Sequence, residues 1–234
     1  MSQLKASVAV LLASIACLCA LGTATSSAAG LELHRCTKGL GTLNKRYSTS
    51  NCAPGTTVPE GAYTWKPWLT KPPVAVREAS SFSLGATVGG VKFGVACSSL
   101  KGSGEIENTG GKAVGEGSMT LIGCVVSEPA EKGCEVPAEI STTSLKLETG
   151  ESTVTYTPAS GTKFTTVKVS GCSVSALNGE KAVTGTATAV VPEMGPQQFT
   201  STSSALKFAE QKATFVGSFG LEDSGGGIDA FVAP

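Results

Sequence analysis

Few residues in this chain are equipped for chemistry. There is one histidine, His34, and the only aspartates are Asp223 and Asp229. Histidine is the commonest general base, so a Ser-His-Asp or Cys-His arrangement would have to recruit His34. No G-x-S-x-G elbow accompanies it, and the plainer expectation is a surface histidine with no catalytic part. The Gly-rich pieces KGSGE, VGEGS and DSGGGID match neither G-x-G-x-x-G nor G-x₄-G-K-[ST]. They are expected to be turns.

Paired carboxylates remain. Glu105 and Glu107 in SGEIEN lie two residues apart, hence on one face of a strand, and Glu116 could face them from the next strand. Glycoside hydrolysis needs two such groups about 5–10 Å apart, and solvent-facing glutamates are the competing reading. Glu222, Asp223 and Asp229 in LEDSGGGID could supply oxygen ligands to calcium. The motif lacks the alternating acidic density of a dedicated loop, so a hairpin turn is favoured.

A binding surface is easier to place. Tyr63 and Trp65 share a face if GAYTW is extended, with Trp68 just beyond and Tyr47 nearby. Such rings stack on sugars or apolar partners, or else plug an N-terminal unit onto the rest of the chain. The row Thr184, Thr186, Thr188 offers a flat hydroxyl surface, most simply the polar face of a sheet.

Residues 1–29 are predicted to be a signal peptide: Lys5 in the n-region, an apolar run from Ala6 to Leu21, and small residues at Ser27-Ala28-Ala29. Cleavage is expected after Ala29, with Ala28 the near alternative. The run falls short of the ~20 residues that span a bilayer, and neither Cys17 nor Cys19 sits in a good lipidation context. The remaining six cysteines, Cys36, Cys52, Cys97, Cys124, Cys134 and Cys172, are then expected to form disulfides in an oxidising compartment. The favoured pairing is Cys36–Cys52, Cys124–Cys134 and Cys97–Cys172, because the first two close short Gly- and Pro-containing segments. No C-x₂-C pair remains to support zinc or a redox dithiol. No metal and no cofactor is expected.

The elements that would position these residues read as strands. Residues 30–75 form a small Cys-closed N-terminal unit followed by a Pro-rich strap. Residues 76–234 alternate β-branched runs with Gly, Ser, Pro and Asn breaks. Ala213, Phe215, Gly217, Phe219 and Leu221 alternate with polar neighbours, as do Val183, Gly185, Ala187, Ala189 and Val191, a period of two that marks strands. SSALKFAEQK is the one weak helical possibility. MTLIGCVVS and VKVSGCSVS share a Gly-Cys-x-Val-Ser pattern that suggests a repeated unit. The expected fold is all-β, an antiparallel β-sandwich or barrel-like domain with the small disulfide-closed unit in front.

The leader, the C-T-K-G…Y…N-C…Y-x-W pattern, the Gly-Cys strands and the closing LKFAEQKATFVGSFGLE run resemble secreted, cysteine-containing, β-rich proteins predicted from actinobacterial genomes. That group has no assigned activity, so the resemblance implies a secreted, bacterial, β-rich chain and no functional residue.

Composition agrees with this outline. Of 234 residues, 15% are charged and 41% hydrophobic, with 18 basic and 18 acidic groups. A disordered polyelectrolyte is excluded, and no basic surface exists to displace counterions from nucleic acid. No membrane association is expected after signal cleavage. The expected function is that of a secreted, non-catalytic binding or structural protein of the cell envelope or exterior. Cell-wall polysaccharide or another extracellular protein would be its partner. A carbohydrate-active hydrolase using paired glutamates is the alternative.

Overall fold

The computed structural model describes residues 29–39, 46–53, 57–58, 60–77, 79–129, 133–192, 196–200 and 205–233. The predicted signal peptide lies almost wholly outside them. The described residues are nearly all antiparallel sheet: β1 (Glu32–Lys38), β2 (Tyr63–Pro67), β3 (Pro73–Arg77), β4 (Phe82–Val88), β5 (Val91–Thr109), β6 (Lys112–Glu128), β7 (Glu139–Ser141), β8 (Leu145–Thr149), β9 (Thr153–Pro158), β10 (Lys163–Val169), β11 (Gly179–Thr184), β12 (Ala187–Val190), β13 (Gln197–Phe199), β14 (Lys207–Phe208), β15 (Gln211–Asp223) and β16 (Ile228–Val232). A single 3₁₀ turn, Ser175–Leu177, is the only helical piece among them.

Strand pairing closes on itself. The order β15-β13-β12-β9-β8-β6-β5-β3 returns to β15 through the β3–β15 ladder, which makes a barrel. A second circuit runs β15-β4-β5-β6-β7, crosses to β10 by the bridges Thr142↔Thr165 and Glu135↔Ser170, and returns through β11 and β14. β5, β6 and β15 are 19, 17 and 13 residues long because each serves both circuits. Closure leaves no long sheet edge exposed to other chains.

The expected alternation appears in β15, where Ala213, Phe215, Phe219 and Leu221 point into the core. Gly217 makes room for Phe82, whose ring carbons lie 2.3 to 2.7 Å from where a Cβ would stand. Phe82, Phe199, Phe215 and Phe219 form one aromatic cluster across the barrel wall. The second alternating run also buries Val183, Ala187 and Ala189. It is not one strand, however, because Gly185 (φ +100°) turns the chain from β11 into β12. The Thr184, Thr186, Thr188 row is thereby split between two strands. The SSALKFAEQK segment, entertained as a helix, contains instead the β14–β15 hairpin, turned by Ala209 (φ 47°) and Glu210 (φ 64°).

Two groups of glycines behave differently from expectation. Gly102 and Gly104 sit inside β5, and Gly115 and Gly117 inside β6, rather than in turns. Gly104 faces Gly117 across the ladder, and a Cβ on either would stand 2.5 Å from a backbone oxygen of the other strand. Such glycines let a ribbon coil tightly where a barrel bends. Only DSGGGID forms the turn expected of it, between β15 and β16.

The disulfides are Cys36–Cys52, Cys97–Cys124 and Cys134–Cys172. The first matches expectation and the other two exchange partners. The β5–β6 register places Cys97 directly opposite Cys124, and the Glu135↔Ser170 bridge carries Cys134 to Cys172. Short loop length misled because the ladder, not the loop, fixes which Cβ atoms meet. The shared Gly-Cys pattern marks two left-handed glycines, Gly123 (φ 62°) and Gly171 (φ 71°), each beside a bridged cysteine. Three disulfides fit an oxidising environment, and no helix among the described residues is long and apolar enough to cross a membrane.

β1, β2 and β16 make a small sheet with its own core, formed by Cys36, Tyr47, Cys52, Trp65, Ala230 and Val232. The N-terminal unit is therefore completed by the last strand of the chain. The Pro-rich stretch ends in β3, which enters the barrel at Pro73 between β5 and β15. Leu31 and Leu33 reach from the small sheet into the main core. Asn108 at the end of β5 clamps this joint: its Oδ1 accepts from Leu33 N (2.7 Å), and its Nδ2 donates to Leu33 O (2.9 Å) and Trp68 O (3.1 Å).

Candidate functional site

Both of the chain's aspartates converge with Arg35 and Trp68 where the small sheet meets the barrel. β1 supplies Arg35, β16 supplies Asp229, and the end of β15 supplies Asp223, while His34 lies on the opposite face of β1, the face of Cys36 and Ala230 in the small core. Arg35 lies opposite Asp229 in the ladder and pairs through Nε with Asp223 Oδ2 at 2.7 Å. Asp223 Oδ1 accepts from the amides of Gly225 (2.6 Å) and Gly227 (3.0 Å). Trp68 Nε1 donates to Asp229 Oδ1 at 3.0 Å, and the Arg35 guanidinium lies 5.4 Å from the Trp68 ring centroid. Cation and ring thus share one packed stack.

Burial shifts the titration of Asp229 and of His34. Asp229 is 3% exposed. Loss of hydration pushes its carboxyl up to about 6; Asp223 adds to that shift, while Trp68 and Arg35 oppose it. His34 is 2% exposed, not the surface histidine expected, and burial holds it down to about 4. The arrangement ties the small sheet to the barrel. Asp223 is held by Arg35 and two backbone amides.

The glutamates lie elsewhere. Glu105 faces Glu116 across the β5–β6 ladder, as their spacing suggested, and Glu107 is two residues along. All three are exposed on the outer barrel face. Glu105 pairs with Lys71 at 3.1 Å, and Glu116 accepts from Ser144 Oγ at 2.7 Å. Glu116 also borders the larger of two mainly apolar pockets.

The aromatic candidates separate. Trp65 is 1% exposed and fills the small core beside Tyr47, with half-buried Tyr63 against it. Trp68 packs against the main core and belongs to the joint. Beyond it Leu69 stands free at 92% exposure.

Each circuit carries a partly open, mainly apolar pocket. The larger lies in the β3–β5–β6–β8–β9–β15 wall, lined by Val74, Ile106, Leu147, Tyr156, Phe219 and Leu221, with Gly102, Gly104 and Gly117 as its floor. It gives the centre of a water-sized sphere about 50 Å³ of room. Ser103, Glu116 and Ser118 also border it, and the buried Tyr156 hydroxyl in its wall donates to Gln197 Oε1, its ionisation raised by burial far above the ordinary range. The smaller cavity, about 20 Å³ on the same measure, lies among Phe82, Val95, Phe164, Val183 and Phe215 in the second circuit.

Sequence reasoning singled out the two aspartates and Trp68 but not their partner Arg35, nor Asn108, Tyr156 or Gln197. Nothing local distinguishes these from ordinary strand residues; their roles come from register. No group of three or more His, Cys, Asp or Glu side chains among the described residues is placed to hold a metal ion. No protein-family model, curated protein or solved structure matches the chain.

Proposed function

We propose that this chain is an exported bacterial protein that acts without catalysis, as a binding or structural component at or outside the cell envelope. The supporting observation is how its reactive side chains are employed. Asp223 and Asp229 are buried in the joint between small sheet and barrel and His34 is buried on the other face of β1, while Glu105 and Glu116 hold surface partners. Three disulfides and closed barrel walls suit a chain that works outside the cell, where durability matters more than motion.

The test is to incubate the mature, oxidised protein with insoluble cell-wall polysaccharide, measuring retention by sedimentation and reducing ends released. Expected are retention and no release. Release of reducing ends that disappears in both Glu105→Gln and Glu116→Gln would establish the hydrolase instead.

A further inference from the structure

The two barrel circuits are not closed in the same way. Every step of the first is a strand ladder. The second crosses from β7 to β10 through isolated bridges. At one end of this seam Thr142 faces Thr165, Thr143 N donates to Phe164 O (2.9 Å) and Thr165 Oγ1 donates to Ser141 O (2.5 Å). At the other end Glu135 and Ser170 exchange amide bonds of 2.8 and 3.0 Å. Between the two ends, among the described residues, no backbone hydrogen bond joins residues 136–140 to residues 166–169. Ile140 and Val167, on either side of this stretch, line the smaller cavity.

The Glu135 end is fastened by the Cys134–Cys172 disulfide, whose two halves are held differently. Cys172 is buried and clamped by Asn178, whose Oδ1 accepts from Cys172 N (2.9 Å) and whose Nδ2 donates to Cys172 O (2.8 Å). Cys134 lies in the segment that leads into β7 and is half-buried. The other five bridged cysteines are at most 8% exposed. Disulfide exchange needs a thiolate to reach a sulfur, so access selects which bridge reacts. We infer that Cys134–Cys172 is a thiol-exchange site, open at Cys134 to a dithiol reductant, and that its reduction unfastens the seam of the second circuit. The reductant's thiolate bonds to Cys134 Sγ and expels the Cys172 thiolate, which takes up a proton. The reductant's second thiol then displaces Cys134 as a thiol and closes the reductant's own disulfide. Two electrons pass from the dithiol to the bridge. Residues 133–138 then keep the Glu135–Ser170 pair as their hydrogen-bonded tie to the chain beyond β10. Cys36–Cys52 and Cys97–Cys124 offer no exposed sulfur-bearing residue and stay oxidised, which leaves the small sheet and the first circuit intact.

Dithiothreitol serves as the dithiol. The oxidised protein is incubated with it under native conditions, quenched with iodoacetamide at intervals and mapped by peptide mass spectrometry. Cys134 and Cys172 should be alkylated roughly tenfold or more faster than the other four bridged cysteines, and guanidinium, which equalises access, should abolish that preference. In the partly reduced protein the amides of Glu135 and Ser170 should exchange hydrogen roughly tenfold faster, while the β8–β9 ladder keeps its protection. Reduction of another bridge first, of all three together, or of none short of unfolding overturns the exchange site. Unchanged exchange at Glu135 and Ser170 overturns the unfastening of the seam. Both measurements use the wild-type chain, so neither depends on a variant that must fold. Polysaccharide retention is measured on the fully oxidised protein, so this inference and the binding reading fail separately.

Discussion

His34 and Asp229 occupy adjacent rungs of the β1–β16 ladder and titrate in opposite senses. Folding raises the Asp229 carboxyl from 3.8 to about 6. The stabilisation this brings is complete below pH 3.8 and lost as pH rises through about 6. Folding lowers His34 from 6.5 to about 4, so its contribution is complete above pH 6.5 and lost as pH falls through about 4. Each amounts to about 3 kcal/mol across that window, and the two nearly cancel. Asp229→Asn should therefore lose stability from pH 6.5 to 4, and His34→Gln should gain it, with the native protein changing less than either. Urea midpoints at several pH values check this, and equal slopes in both variants would contradict it. At the β14–β15 turn, Ala209 and Glu210 hold left-handed conformations that a two-residue hairpin normally gives to Asn-Gly. Glu210→Gly should raise stability by about 0.5–1 kcal/mol, measured as an increase in Tm. The two aspartates were visible in the sequence as a possible oxygen cluster. Their partner Arg35 was not, because it lies at the opposite end of the chain and only strand pairing brings it to them.

The element that most constrains the fold is the β5–β6 ribbon, shared by both circuits. Its glycines are irreplaceable where backbone approaches backbone: Gly104→Val or Gly117→Val puts carbon atoms within 2.5 Å of a carbonyl oxygen. Either should cost about 3 kcal/mol or more, read from denaturant unfolding. Gly90 at the β4–β5 turn has open space around it and φ +83°, so Gly90→Asn should cost less than about 1 kcal/mol in the same assay. Composition alone makes these glycines look alike. Period-two alternation identified β15 and its buried face because that signal is local. It ran past the break at Gly185, because the residues on both sides remain inward-facing while the chain changes circuits. The disulfide partners escaped for the related reason that register, not separation along the chain, sets which cysteines face each other.

At the scale of the molecule, the last strand finishes what the first begins. β16 pairs with β1 and contributes Ala230 and Val232 to the core around Trp65. Barrel closure uses β15 and β3 directly and does not pass through β16. Truncation after Gly227 should therefore expose Trp65 and red-shift tryptophan emission, while far-UV circular dichroism keeps its β signature. Loss of both signals together would show that the small sheet and barrel fold as one unit. The sequence alone was enough for the strand-rich character, the inward faces of the alternating runs and the expectation of disulfide bonding. Those follow from residue type and a two-residue period, which are properties of neighbouring positions. Only the tertiary structure decided the closed circuits, the exchanged disulfides, the burial of His34 and the pairing of Tyr156 with Gln197. Each depends on which distant strands lie side by side, and a shift of one residue in that register would turn every one of those side chains to the other face.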